Sequence, residues 1–393
     1  MPSGPFNGIR VLDAGRYISA PFCAAMMADL GADVIRIEPI GGADDRTVMP
    51  VSDDTGALHL HVNHSKRSLA IDLKHPDAQQ IMQRLVRASD VVVTNMTNGI
   101  LSRLRLDYDT LRSINPSVVH TNITAFGDTG PESESIGFDG TGQAMSGIAY
   151  LSGWPGQPTR SAASFVDYGT AMSAAFATAA ALFERTRTGQ GQQVKASLLG
   201  TALTMMNPIL IEQALGARTR VATGNRSPIA GPSDIFRTTD GWIMVQVIGQ
   251  DMFQRWAQLV GRPDLPANPL YADDIKRGEN GEELSKLMQG WCAQRSSAEC
   301  LAILRSARIP GCPVLSPQGA LAERQHVEGG FFRWIDNASS EKPIPIVRLY
   351  QHNCESNPQL APKLGIDSTE ILLEIGFSEP EIESFIQKGI VKN

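Results

Sequence analysis

The sequence contains no Cys-x-x-Cys pair, and its five cysteines are odd in number. That reads as a reduced protein without a disulfide frame. No apolar run is long enough to cross a bilayer. No low-complexity tract or internal repeat stands out. The first residues lack the basic, apolar and small-residue succession of a secretory leader, so the expected compartment is cytoplasmic. Basic residues are outnumbered: 35 Lys and Arg against 41 Asp and Glu leave a net charge of −6. Neither nucleic acid nor an anionic membrane is then the expected partner, although a local basic pocket for a phosphorylated ligand stays open. Glycine is scarce where a dinucleotide would need it. Asp13-Ala14-Gly15-Arg16-Tyr17-Ile18-Ser19 offers one Gly where the fingerprint wants three. Glu38 does stand where a ribose-binding acid would, but without the turn glycines the backbone cannot approach a pyrophosphate. No His lies between His120 and His326. The dense group His59, His61 and His64 has no supporting Cys or carboxylate pattern and reads as a polar segment before a strand, so no metal site is expected.

What is present, over 393 residues, suggests about two domains. Apolar strands at 9–13, 33–38, 68–73, 90–95 and 118–125 alternate with helices at 21–30 and 76–88. This rhythm predicts a parallel α/β sheet covered on both faces. Residues 171–184 read as an Ala-rich helix. A Gly-, Pro- and Ser-rich stretch at 224–233 reads as a boundary. Beyond it come a strand at 242–247 and amphipathic helices at 251–260, 281–294 and 298–307. Helices at 369–375 and 379–389 close the chain and are expected to return to the first domain.

One carboxylate stands out. Asp167 ends an apolar run in Ser161-Ala-Ala-Ser-Phe-Val-Asp-Tyr-Gly-Thr-Ala-Met172 and immediately precedes the Ala-rich helix. The dipole of that helix favours an ionised carboxylate, which needs no base to attack an activated acyl group. Asp is equally a preferred helix N-cap, and on this stretch alone a structural cap is the commoner reading. Lys66, Arg67 and Arg226 carry charge near predicted loops. They suit either a solvated surface or a pocket for phosphates.

Further blocks are Gly8–Asp13, Ala28–Pro39, Ser65–Lys74, Asp90–Asn95, Gly137–Gly147, Arg187–Val194 and Ala361–Gly365. In order and spacing they resemble the class III coenzyme A transferases, the CaiB/BaiF family with its formyl-CoA and carnitine-CoA transferases. The resemblance covers nearly the whole chain. It implies a Rossmann-like large domain built from both chain ends, with a smaller α+β domain between. The boundaries expected are 1–223 for the N-terminal part of the large domain (a linker helix starting near 190), 224–335 for the small domain, and 336–393 for the linker and C-terminal part. It also implies two subunits interlocked like rings in a homodimer. Asp167 would be the catalytic nucleophile. Ser19, Ile71, Asp72, Leu73, Lys74, Asn95, Met96, Thr97, Arg103, Phe138 and Asp139 would line the CoA site. CoA would enter as acyl-CoA substrate, with no tightly bound cofactor, and a small carboxylic acid would accept it. Two departures stand out: Pro39 replaces a basic residue of some members, and no glycine-rich shielding loop is present, Ile229–Pro232 being nearest. Backbone N–H groups around Gly140–Gly142 or Gly169 are candidate oxyanion donors. A racemase of the same fold would need two bases facing the α-carbon. Its Gly-x-Asp block carries His where this chain has Phe138, which favours transfer. A CoA-ester-binding protein without turnover is the third reading, with Asp167 only a cap.

Overall fold

The computed structural model describes residues 4–52, 55–336, 342–347 and 358–393. The chain divides into two compact units, one formed by Met1–Ser146, Ser161–Met206 and Gly330–Asn393, the other by Gly147–Arg160 and Asn207–Gly329.

The first unit is built on a seven-stranded sheet. Five strands are β1 (Arg10–Asp13), β2 (Asp33–Glu38), β3 (Arg67–Ile71), β4 (Val91–Thr94) and β5 (Val119–Thr124). With Gln193–Ser197 and Val391–Lys392 the order is Val391–Lys392, β3, β2, β1, β4, β5, Gln193–Ser197. All pairings are parallel except Val391–Lys392 on β3, where Val391 faces Ile71. Sequence reading finds these strands because burial on both faces writes apolar runs such as Val91–Val93, interrupted by buried polar residues such as Arg36 and Asn122. Val11, Val34, Val91 and Val93 point into one core with the helices Ser19–Asp29 and Phe165–Thr188. Leu12, Ile35 and Val92 point into the other, with Ala78–Arg87 and the closing helices Ser368–Glu374 and Glu379–Gln387. The Rossmann-like α/β fold expected from the sequence is therefore the observed one.

The second unit carries a three-stranded antiparallel sheet, Gly311–Pro313, Trp242–Gln246 and Ser233–Arg237. The helices Gln250–Leu259, Gly281–Cys292 and Ser297–Ser306 cover it over a core centred on Phe236, Phe253 and Trp256.

Candidate active site

In an open parallel sheet, ligands sit beyond the carboxyl ends of the strands, where the chain order reverses. Here β1 is followed outward by β2 on one side and by β4 on the other, so the reversal falls between β1 and β4. The loops leaving these two strands are stitched together. The Arg16 N–H donates to Asn95 Oδ1 at 2.9 Å, and Asn95 Nδ2 donates back to the Arg16 carbonyl at 2.7 Å. The Asn95 side chain is thus committed to shaping the crevice.

Asp167 does not precede its helix as the sequence suggested. The helix runs Phe165–Thr188, with Ser164 as an N-cap that makes no side-chain cap bond, and Asp167 lies inside its first turn. The cap comes from elsewhere. Asp139, 5% exposed, accepts the N–H of Val166 at 2.8 Å and of Asp167 at 3.2 Å on Oδ2. Its other oxygen accepts from Gln143, whose Oε1 takes the Ser161 N–H at 2.9 Å. Asp139 therefore does the capping that sequence reading offered to Asp167. The Asp167 carboxylate receives no hydrogen bond from the described residues. Burial, and then the charge of Asp139, push its carboxyl up to about 7. The helix dipole expected to keep it ionised is outweighed by these two effects.

The neighbouring residue, Tyr168, stands edge-on to Phe22 at 5.0 Å and lies 5.6 Å from His61. Burial and the nearby Asp167 raise its phenol. Burial and His64 hold His61 at about 4, so its ring is neutral. On the other flank, Phe138 is 57% exposed and meets Tyr17 edge-to-face at 5.6 Å. Asp167, Asp139, Phe138 and the β1 and β4 turns are thus linked by direct contacts.

The remaining sequence candidates spread along the carboxyl edge of the sheet. Ser19 is buried at the first position of the Ser19–Asp29 helix. Met96 is held by Asn122, which takes its N–H at 3.4 Å and donates to its carbonyl at 3.1 Å. Thr97 precedes the Asn98–Leu104 helix without a side-chain cap bond, and Arg103 is exposed on that helix with no ion pair among the described residues. Ile71, 1% exposed, turns its side chain into the core and offers a ligand only its backbone. Asp72 Oδ1 accepts the Lys74 N–H at 3.0 Å in a turn that leaves Lys74 exposed. Leu73 packs on the second core.

Lys66 is not a phosphate ligand. Its ammonium is buried and donates to Asp13 and the Pro21 carbonyl at 2.7 Å and to Asn63 at 2.8 Å. Arg67 is spent on Asp33 and Glu374. Glu38 is likewise buried, on Arg46 and Arg36. Gly142 and Gly169 are packing glycines. A Cβ would meet Val166 Cγ1 at 2.9 Å in the first and Met205 Cε at 2.7 Å in the second, whereas Gly140 faces open space.

Sequence reasoning missed Tyr17 and Asp45. The Asp45 carboxylate holds Arg36 through two contacts of 2.9 Å and takes the Tyr17 N–H at 2.7 Å. Neither residue belongs to a spacing pattern that would have flagged it.

A carboxylate in the first turn of a helix beside the switch point of a doubly wound sheet is the arrangement of an α/β-class enzyme site. Residues 6–368 match the model of CoA-transferase family III, and the chain belongs to that family of class III CoA-transferases. A succinyl-CoA–D-citramalate CoA-transferase of Chloroflexus aurantiacus is 32% identical and aligns over 99% of either chain. A succinyl-CoA:glutarate CoA-transferase of Mus musculus is 29% identical over 99% of this chain and 90% of its own. The crystal structure of a CAIB/BAIF family protein from Brucella suis superposes with a TM-score of 0.81 at 27% identity, covering 95% of this chain and 100% of that one.

Proposed function

We propose that the protein moves CoA from an acyl-CoA donor, succinyl-CoA, to a small dicarboxylic acid through covalent intermediates on Asp167. A carboxylate oxygen of Asp167 attacks the thioester carbonyl. The C–S bond breaks and CoA leaves as thiolate, giving a mixed anhydride. The thiolate then attacks the aspartyl carbonyl of the anhydride and releases the donor acid, leaving an aspartyl-CoA thioester. The acceptor carboxylate attacks that thioester and expels the thiolate. The thiolate next attacks the acceptor's acyl carbonyl, so the new acyl-CoA departs and Asp167 is free again. The residues hold the reactants together and keep the acyl potential in covalent form, with water shut out.

The observation that carries this reading is the division of labour between the two aspartates. Asp139 caps the helix through the Val166 and Asp167 N–H groups, and the Asp167 carboxylate has no hydrogen-bond partner among the described residues. Phe138 at the crevice supplies no proton-transfer group, which weighs against a racemase. Ser19, Asn95, Met96, Thr97, Phe138 and Asp139 at the crevice, Arg103 beside it and Ile71–Lys74 at the end of β3 form the CoA-binding edge in this reading. No tightly bound cofactor takes part. The enzyme is read as cytoplasmic and as an interlocked homodimer. Phe176 and Phe183, 79% and 66% exposed on the helix that carries Asp167, support a partner on that face.

The test is intact-mass spectrometry of the protein mixed with succinyl-CoA and no acceptor, followed by digestion. A gain of CoA less one water on the Asp167 peptide is the expected result. No adduct with several acyl-CoAs would sink the reading.

A further inference from the structure

Tyr17 is a non-glycine residue in the left-handed region, with φ of 61°. Such a conformation is costly for a residue with a side chain and persists only where its surroundings enforce it. Here they do so from two sides. Asn95 grips both backbone groups of Arg16, and Asp45 takes the Tyr17 N–H. Asp45 is itself fixed by Arg36 Nη2, which donates to both its carboxylate oxygens, while Arg36 Nη1 reaches Asp13 at 3.4 Å and the Gly15 carbonyl at 3.3 Å. A buried ion cluster is thus aimed at one strained residue.

The strain has a visible result. It sets the Tyr17 ring edge-to-face on Phe138, the residue next to the carboxylate that caps Asp167's helix. The Tyr17 hydroxyl has no partner among the described residues. Beside it, the Arg16 guanidinium lies 6.0 Å from the Tyr17 ring centroid and pairs with Asp44, which is 68% exposed. A phenol without a partner at the rim of the crevice suits an acyl group that ends in a second carboxylate, to which it can donate.

We propose that Tyr17 is a specificity-determining residue, its hydroxyl donating to the distal carboxylate of a dicarboxylic acyl group. Asp45 is the positioning residue that locks it in place. This rests on the reading of Asp167 as nucleophile.

The experiment compares the rate of thioester formation on Asp167 from succinyl-CoA and from butyryl-CoA, which has the same chain length and no second carboxylate. Tyr17→Phe removes only the hydroxyl. It is expected to slow the succinyl reaction at least tenfold, as loss of a hydrogen bond to a charged group implies, and to leave the butyryl reaction within twofold. Asp45→Asn is expected to narrow the succinyl-over-butyryl preference in the same direction. Combined with Tyr17→Phe it should cost no further selectivity, since both act through one contact. Equal slowing of both substrates, or no change in either, overturns the role of Tyr17. Loss of stability in Asp45→Asn with selectivity intact overturns the lock. Wild-type protein that forms no thioester with any acyl-CoA refutes the underlying reading of Asp167, whereas a wild-type thioester with indifferent variants refutes only this inference.

Discussion

Asp139 accepts the backbone N–H of Asp167 at 3.2 Å, so one aspartate holds in place the turn from which the other projects. The same proximity sets two negative charges against each other, and the cost falls on Asp167, whose carboxyl moves up to about 7 through burial and Asp139. The Asp167 carboxyl is thereby half-buried and weakly held, which suits the covalent role proposed for it.

Asp167→Asn should abolish thioester formation and turnover while keeping the fold. Its effect on stability depends on pH. The folded carboxyl at about 7 lies above the unfolded value near 3.8, so the favourable contribution is complete below pH 4 and disappears as pH rises through 7. At pH 8 the variant should therefore be more stable than wild type, by on the order of 3 kcal/mol, with the difference vanishing near pH 4. Urea midpoints at the two pH values check this. A variant less stable than wild type at pH 8 would contradict the buried, unsatisfied placement of Asp167.

The rate of thioester formation at low acyl-CoA should rise with pH around an inflection near 7 in the free enzyme. Asp139→Asn removes the facing charge yet retains an amide oxygen for the Val166 and Asp167 N–H groups. The inflection should move to lower pH, with a stability loss of about 1 kcal/mol from the weaker cap. Stopped reactions across pH 5–9 read by mass would show it.

Lys66→Met tests the buried cluster. Removal of the ammonium leaves Asp13 without its 2.7 Å partner, and breaking a buried pair typically costs 3–5 kcal/mol. The loss should appear in the denaturation midpoint, with KM for acyl-CoA within about twofold of wild type in the molecules that remain folded. A large KM rise with unchanged stability would restore the phosphate-binding reading.

Gly142→Ala should push the Asp139–Met145 helix away from Val166, because the new Cβ would lie 2.9 Å from Val166 Cγ1 and 3.3 Å from the Leu198 carbonyl. Overpacking of this kind costs about 1–3 kcal/mol. Because Val166 adjoins Asp167, kcat should fall as well. Melting temperature and kcat measured together distinguish this from a harmless surface change.

The parallel strands were legible because burial on two faces writes a continuous apolar run, as in Val91–Val93. Asp167 was legible as a carboxylate at a helix start. Its true position inside the first turn was not, since the capping group lies far upstream at Asp139 and local spacing carries no trace of it. The fate of Lys66 was hidden for the same reason, its partner Asp13 being remote in sequence. Tyr17 was invisible because backbone strain is a property of what surrounds a residue. Position 17 reads as an ordinary aromatic until Asp45 and Asn95 close around its turn.

The edge strand Val391–Lys392 pairs with β3 across almost the whole chain. During synthesis, β3 leaves the ribosome long before the residues that seal its free edge exist. A pairing so distant in sequence slows assembly. Until then, an unpaired parallel-sheet edge stays open to stray strands. The first unit thus begins to fold before the second and is completed after it, so chaperone demand and aggregation should be greatest in nascent chains that have completed the second unit but not the closing helices.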